Sequence, residues 1–62
     1  MIYSPGDIVT VIINHGEESQ TLLDVELEER FETPKGVVWR SVFVDGLGGI
    51  NVFENMIQGF QL

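Results

Sequence analysis

The segment from residue 21 to residue 32 separates apolar and acidic residues onto two faces if it forms a β-strand. Successive side chains of a strand point to opposite faces of a sheet. The residues predicted to point inward are Leu23, Val25, Leu27 and Phe31. The acidic residues predicted to point outward are Asp24, Glu26, Glu28 and Glu32, with Arg30 among them. The pattern therefore predicts a row of carboxylates along one face of a strand.

A helix is the alternative for residues 20–32. Three of the apolar residues also recur at helical spacing: Leu23, Leu27 and Phe31. Glu and Leu favour helices, and Ser19 is suited to cap one. Thr21 and Val25 prefer strands, and a period of two accounts for more of the apolar residues than a period of 3.6 does. The strand is the favoured interpretation.

Two further segments, 8–13 and 37–44, are rich in β-branched and aromatic residues and predict strands. Both carry apolar residues on each face. The segment 8–13 is therefore expected to be a central strand or to be covered on its second face by the chain ends, and the segment 37–44 leaves one apolar face that needs a cover or a partner. Turns or loops are predicted at 5–7, 14–19, 32–36 and 45–49. Residues 50–53 predict a short strand, residues 54–57 a helical turn, and residues 59–62 a last short strand.

This spacing of strands predicts an all-β domain, a small barrel of four to five short antiparallel strands with one short helical turn near the C-terminus. The layout resembles the SH3-like barrels, including the Tudor and KOW-type modules. The resemblance rests on residues 5–9 (Pro-Gly-Asp-Ile-Val) opening the first strand, on a three-strand meander, and on the turn at 54–57. That fold hosts many unrelated functions, so the resemblance transfers none. The chain lacks the basic face of relatives that bind nucleic acid and the polyproline-binding pattern of signalling modules.

Charge is the strongest constraint on partners. The chain has 62 residues, which predicts a single domain (1–62), with ten acidic against three basic residues, a net charge of −7 and a pI of about 4.2. Binding to nucleic-acid phosphates or to anionic membranes relies on Lys and Arg, so neither is expected. A basic protein surface is the expected partner, because opposite charge accelerates encounter.

Composition also bears on location. There is no cysteine, which is compatible with a reduced cytoplasm. No apolar run approaches the roughly 20 residues that span a bilayer, and the N-terminus lacks the basic start of a secretory signal. A cytoplasmic protein is therefore expected. Small acidic proteins of this type are common in phages and mobile elements. The type of protein therefore suggests such an origin, and no particular residue does.

Two surfaces are candidate binding sites. The first is the acidic row, whose residues repeat about every 6.8 Å along a strand, so that it sparsely imitates a nucleic-acid backbone. The second is an apolar interface on the strand 37–44, formed by Val38 and Val42 on one face or by Trp39 and Phe43 on the other. One of these faces must look outward, so homo-oligomerisation through it is the alternative role. A solvated acidic face and ordinary core aromatics remain the simpler explanations.

Catalysis and cofactors are not expected. His15 is the only histidine and has no second histidine or cysteine to join it as a metal ligand. Residues 45–49 (Asp-Gly-Leu-Gly-Gly) lack the spacing of a phosphate-binding or calcium loop and predict a hairpin connection. The sequence therefore predicts a noncatalytic acidic interaction module, a regulator or inhibitor that docks on a basic protein surface, of which a nucleic-acid-binding surface is one example, with an assembly subunit as the alternative.

Overall fold

The chain folds into five antiparallel strands and one short 3-10 turn in a computed structural model that describes residues 2–46 and 48–61. The elements are β1 (Ile8–His15), β2 (Glu18–Thr33), β3 (Gly36–Phe43), β4 (Gly49–Phe53), the 3-10 turn (Glu54–Met56) and β5 (Ile57–Phe60). The all-β prediction is confirmed. The helix alternative for residues 20–32 is wrong, because all of them lie in β2.

The strands form one sheet in the order β4-β3-β2-β1-β5. The two edges are therefore β4 and β5, and no pairing joins them among the described residues, so the predicted closure into a barrel is not found. The three-strand meander is confirmed as β2-β3-β4, and the helical turn is confirmed as the 3-10 turn. The last strand begins at Ile57 rather than at Gly59, and Leu62, its predicted end, lies outside the described residues.

One apolar cluster forms the core, and all five strands contribute to it. Its members are Val9, Val11, Val25, Leu27, Trp39, Val52 and Ile57. A sheet must bury its apolar face against something, and residues 2–46 and 48–61 form one sheet with no second layer. The shortest dimension of the domain is 22 Å, about twice the ~10 Å spacing of two packed sheets. The sheet therefore curves around its own inner face.

The long strand β2 allows this curvature because it is shared between two partners. It has 16 residues, of which the first part pairs with β1 and the second part with β3. The register of β2 shifts once in each pairing. In the pairing with β1 the shift lies opposite Thr10, and in the pairing with β3 it lies at Glu28 of β2. Such β-bulges add one residue to one strand, bend it and increase its twist.

The first bulge contains Leu23 and Asp24. Asp24 has a φ of 55°, in the left-handed region that Asp tolerates better than most residues. The side chain of Gln61 holds the bulge, since its Oε1 accepts hydrogen bonds from Thr10 Oγ1 at 2.7 Å and from the Asp24 amide at 3.4 Å. The extra residue turns Leu22 toward the core and leaves Leu23 56% exposed.

The second bulge adds Glu28 between Leu27, which faces Ser41, and Glu29, which faces Arg40. Side-chain alternation is inverted beyond this point. Phe31 lies opposite Val38 on the outer face and is 43% exposed. The prediction that Leu23 and Phe31 point inward is therefore wrong, and in both cases the reason is a bulge that a strict period of two does not include.

The connection between β1 and β2 is tighter than predicted. His15 pairs with Glu18, which leaves Gly16 and Glu17 as the two central residues of a hairpin turn. Gly16 has a φ of 65°, the conformation that type II′ hairpin turns require at this position. The loop expected at 14–19 is therefore mostly strand.

Candidate binding surface

The acidic residues of β2 do not form one continuous row. Asp24 lies in the first bulge and Glu28 in the second, whereas Glu26 is half-buried between Ile8 of β1 and Val42 of β3. Glu32 lies beyond the second bulge, opposite Val37, whose side chain packs against the core. The prediction that all of these carboxylates share one face is wrong for Glu32, since the bulge moves it to the other face.

Arg40 stands between two carboxylates on the outer face. Its Nε lies 4.0 Å from Glu28 Oε1, and its Nη1 lies 4.0 Å from Glu29 Oε1. The Arg40 side chain is 62% exposed, and exposed pairs of this kind contribute little to stability. Glu29 was not among the predicted site residues. It lies on this face because the bulge brings both Glu28 and Glu29, which are neighbours in sequence, to the same side of β2 near Arg40.

An apolar row crosses three strands next to this charged group. Phe31 in β2 pairs with Val38 in β3, which pairs with Phe53 in β4. We call these three residues the outer row. None of them belongs to the buried core or packs against it. The neighbouring cross-strand positions are Glu29, Arg40 and Asn51, so the outer row lies directly beside the Glu28–Arg40–Glu29 group.

The predicted apolar interface divides between the two faces of the sheet. Val38 and Val42 lie on the outer face and are half-buried. Trp39 is only 1% exposed, and Phe43 packs against the core. The face that carries Trp39 and Phe43 is therefore the inner one, where Trp39 is buried and Phe43 is half-buried.

A polar network anchors the buried tryptophan. Trp39 Nε1 donates a hydrogen bond to Glu54 Oε2 at 2.8 Å, and Arg30 Nε lies 4.0 Å from the same oxygen. Arg30 Nη1 also bonds to Glu32 Oε1 at 3.0 Å. This network was not predicted from the sequence. A usable signal was present, because a buried indole N–H usually has a hydrogen-bond acceptor and Glu54 directly follows β4.

Beside this network lies an open cleft of about 370 Å³. It is lined by Tyr3, Lys35, Gly36, Val37, Phe53, Glu54 and Asn55. Among the described residues that line the cleft, Glu54 is the carboxylate, and it is already engaged by Trp39 and Arg30.

The described part of the chain contains no group of three or more His, Cys, Asp and Glu residues that would hold a metal ion. The side chain of His15, a candidate ligand or base, lies outside the described structure. Residues 45–49 connect β3 to β4, since Val42 pairs with Gly49. No helix among the described residues is long and apolar enough to cross a membrane.

Comparisons with protein-family models, with curated proteins and with solved structures found no match to this chain.

Proposed function

We propose that this domain is a noncatalytic interaction module that binds a basic protein surface through the outer row and the carboxylates beside it. The supporting observation is the placement of Phe31, Val38 and Phe53 across three strands, next to Glu28 and Glu29. Phe31 is 43% exposed, and Val38 and Phe53 are half-buried. The role that fits is a regulator or inhibitor, and a basic surface that binds nucleic acid is the partner chemistry that an acidic chain suits best.

The two parts of this surface have different tasks. Apolar and aromatic residues at the centre of an interface supply most of its affinity. Charged residues at its rim mainly accelerate association and select the partner. A net charge of −7 steers a basic protein toward the domain over about 8–10 Å in physiological salt. The outer row is thus the proposed centre, and Glu26, Glu28 and Glu29 are the proposed rim.

The SH3-like resemblance belongs to this proposal. It is supported by the meander β2-β3-β4, by the turn that precedes the last strand and by the sheet order. Domains of this shape commonly serve as small binding modules, although the fold alone assigns no partner. An origin in a phage or mobile element stays a prediction from protein type.

The experiment is a pull-down with the wild-type domain at about 0.05 M and about 0.5 M salt, followed by affinity measurements on the captured partner. The double variant Glu28→Lys/Glu29→Lys should weaken binding several-fold to about a hundredfold, mostly at low salt and mostly through slower association. Glu17→Lys/Glu18→Lys is the matched control, because it makes the same charge change in the exposed β1–β2 hairpin.

Equal binding by both double variants and the wild type would reject the proposed rim. A loss that is equal in the two double variants would show that net charge acts without a defined site. Substitution of Phe31 by Thr tests the centre separately, since it removes the ring and leaves all charges unchanged.

An assembly subunit is the second candidate function. The observation that favours it is the exposure of Phe31, which shares the outer face with the half-buried Val38 and Val42. Apolar assembly would persist at high salt, whereas electrostatic docking would weaken. Direct binding to DNA or RNA is not expected in either case, and sub-micromolar affinity in a gel-shift assay at physiological salt would contradict both.

A further inference from the structure

The free backbone edge of β4 is a candidate pairing site that is distinct from the proposed docking face, to which β4 contributes only the side chain of Phe53. β4 is an edge strand of five residues, Gly49–Phe53. Edge strands present unpaired amides and carbonyls, and proteins usually protect them with charged residues, proline or a bulge. β4 contains no charged residue and no proline, and its register with β3 runs without a shift.

The hydrogen-bond phase of the β3–β4 pair identifies which backbone groups are free. The amide of Phe43 donates to Gly48 O at 3.0 Å. Hydrogen-bonded pairs alternate along an antiparallel ladder, so Ser41 and Trp39 bond to β4 next, at Ile50 and Val52. The amide of Val44 donates in the opposite direction, to Asp24 O of β2 at 3.0 Å, which agrees with this phase.

The remaining residues of β4 therefore direct their backbone groups away from β3. They are Gly49, Asn51 and Phe53. The β3–β4 register leaves the amides and carbonyls of Gly49 and Asn51 and the amide of Phe53 without a partner in the sheet. The Phe53 carbonyl also begins the 3-10 turn Glu54–Met56, where it accepts one hydrogen bond. The other edge is different, because β5 has four residues, shifts register against β1 and contains Gly59 with a φ of 157°.

We infer that β4 pairs antiparallel with β4 of a second copy of this chain, about a two-fold axis at Asn51. In this register Asn51 opposes itself as a hydrogen-bonded pair, and Phe53 opposes Gly49 of the second copy. The pair forms about six backbone hydrogen bonds, in which each Phe53 carbonyl uses its second lone pair and the other groups have no partner in the sheet.

The side chains are complementary in the same register. The Phe53 ring lies across a glycine, which has no side chain to obstruct it. Ile50 opposes Val52 of the second copy as a non-hydrogen-bonded pair, in which side chains approach most closely. Both residues belong to the inner face, where Val52 is in the core and Ile50 packs against it. An uncharged edge is also where two chains of charge −7 can approach with least repulsion.

The test is sedimentation velocity of the intact chain from about 5 to about 500 µM, at about 0.05 M and about 0.5 M salt. A short edge predicts weak dimerisation, with a dimer fraction that rises with protein concentration. The dimer dissociation constant should fall at high salt, because salt screens the repulsion between like charges. This salt dependence is opposite to that of docking on a basic partner, so failure of one proposal is distinguishable from failure of the other.

Two matched variants locate the interface. Asn51→Lys places two cations face to face across the axis and should raise the dimer dissociation constant about tenfold or more. Gln58→Lys makes the same charge change on β5 and should leave that constant within about twofold. A chain that is monomeric throughout, an unaffected Asn51→Lys dimer, or an equal loss in Gln58→Lys would each overturn the inference.

Amide hydrogen exchange on the wild type gives a readout that does not depend on a variant. The amides of Gly49, Asn51 and Phe53 should exchange more slowly at high protein concentration than at low concentration, whereas the amide of Gln58 should not change. Exchange at these three amides that is independent of concentration would contradict pairing through β4.

Discussion

Both faces of the sheet carry apolar side chains but bury them very differently. On the inner face, Val9, Leu27 and Trp39 are almost completely buried, because residues from all five strands contact one another there. On the outer face, Phe31 remains 43% exposed, and Val38, Val42 and Phe53 are only half-buried. Hydrophobicity alone therefore does not identify the core of a single curved sheet.

The difference shows that stability and recognition occupy opposite sides of the same strands. In β3, Trp39 contributes to the core while Val38 and Arg40 on either side of it lie on the proposed docking surface. In β2, the two bulges decide which side chains join each face. Substitutions one residue apart in these strands should consequently have distinct effects on folding and on binding.

The largest effect is expected from Trp39→Ala. The ring is buried among core residues from several strands, so its removal should lower the free energy of unfolding by about 3–5 kcal/mol, a large part of the stability of a domain this small. Urea denaturation followed by circular dichroism measures this. Phe31→Ala is the outer-face counterpart and should cost about 1 kcal/mol or less. Equal losses in the two variants would contradict the assignment of inner and outer faces.

An intermediate effect is expected at the first bulge. Asp24→Val places a β-branched residue at a φ of 55°, which should cost about 1–2 kcal/mol. Asp24→Gly makes a similar loss of charge but relieves the strain, so its stability should stay close to that of the wild type. Thermal denaturation of the pair separates conformation from charge. If valine is tolerated as well as glycine, the left-handed bulge does not shape β2.

The anchor of the indole should contribute less. Glu54→Ala removes the acceptor 2.8 Å from Trp39 Nε1 and should destabilise the domain by about 1 kcal/mol. Glu54→Gln keeps an oxygen acceptor and should recover about half of this loss or more. Indole N–H chemical shifts in a heteronuclear NMR spectrum report the bond directly. An unchanged shift in Glu54→Ala would show that the bond is not formed in solution.

The smallest effect on stability is expected from the rim of the docking surface. Glu28→Lys/Glu29→Lys should change the free energy of unfolding by no more than about 0.5 kcal/mol, because both carboxylates are exposed and their contacts with Arg40 are long. Chemical denaturation at two salt concentrations measures the change. A loss comparable with that of Asp24→Val would mean that the outer charges support the fold rather than recognition.

The sequence by itself determined the all-β class, the positions of the strands and the acidic character of the surface. β-Branched and aromatic runs at 8–13 and 37–44 and the alternation in 21–31 are local signals, and strand formation follows them closely. Glycine and proline marked the connections correctly, but the β1–β2 and β2–β3 turns are shorter than predicted, and β4 and β5 begin earlier. Net charge requires no structure at all.

Only the tertiary structure decided which side chains share a face. A bulge shifts every later residue of a strand to the opposite side, and neither bulge in β2 has a sequence signature. The first bulge is held by Gln61, which is 37 residues from Asp24 along the chain. The second bulge is Glu28, the extra residue between Leu27 and Glu29, which pair with Ser41 and Arg40 of β3. The outer row, the Trp39–Glu54 bond and the free edge of β4 likewise depend on which strands become neighbours. Such long-range pairing is set by the curvature that encloses the core, and a linear pattern of residues does not contain it.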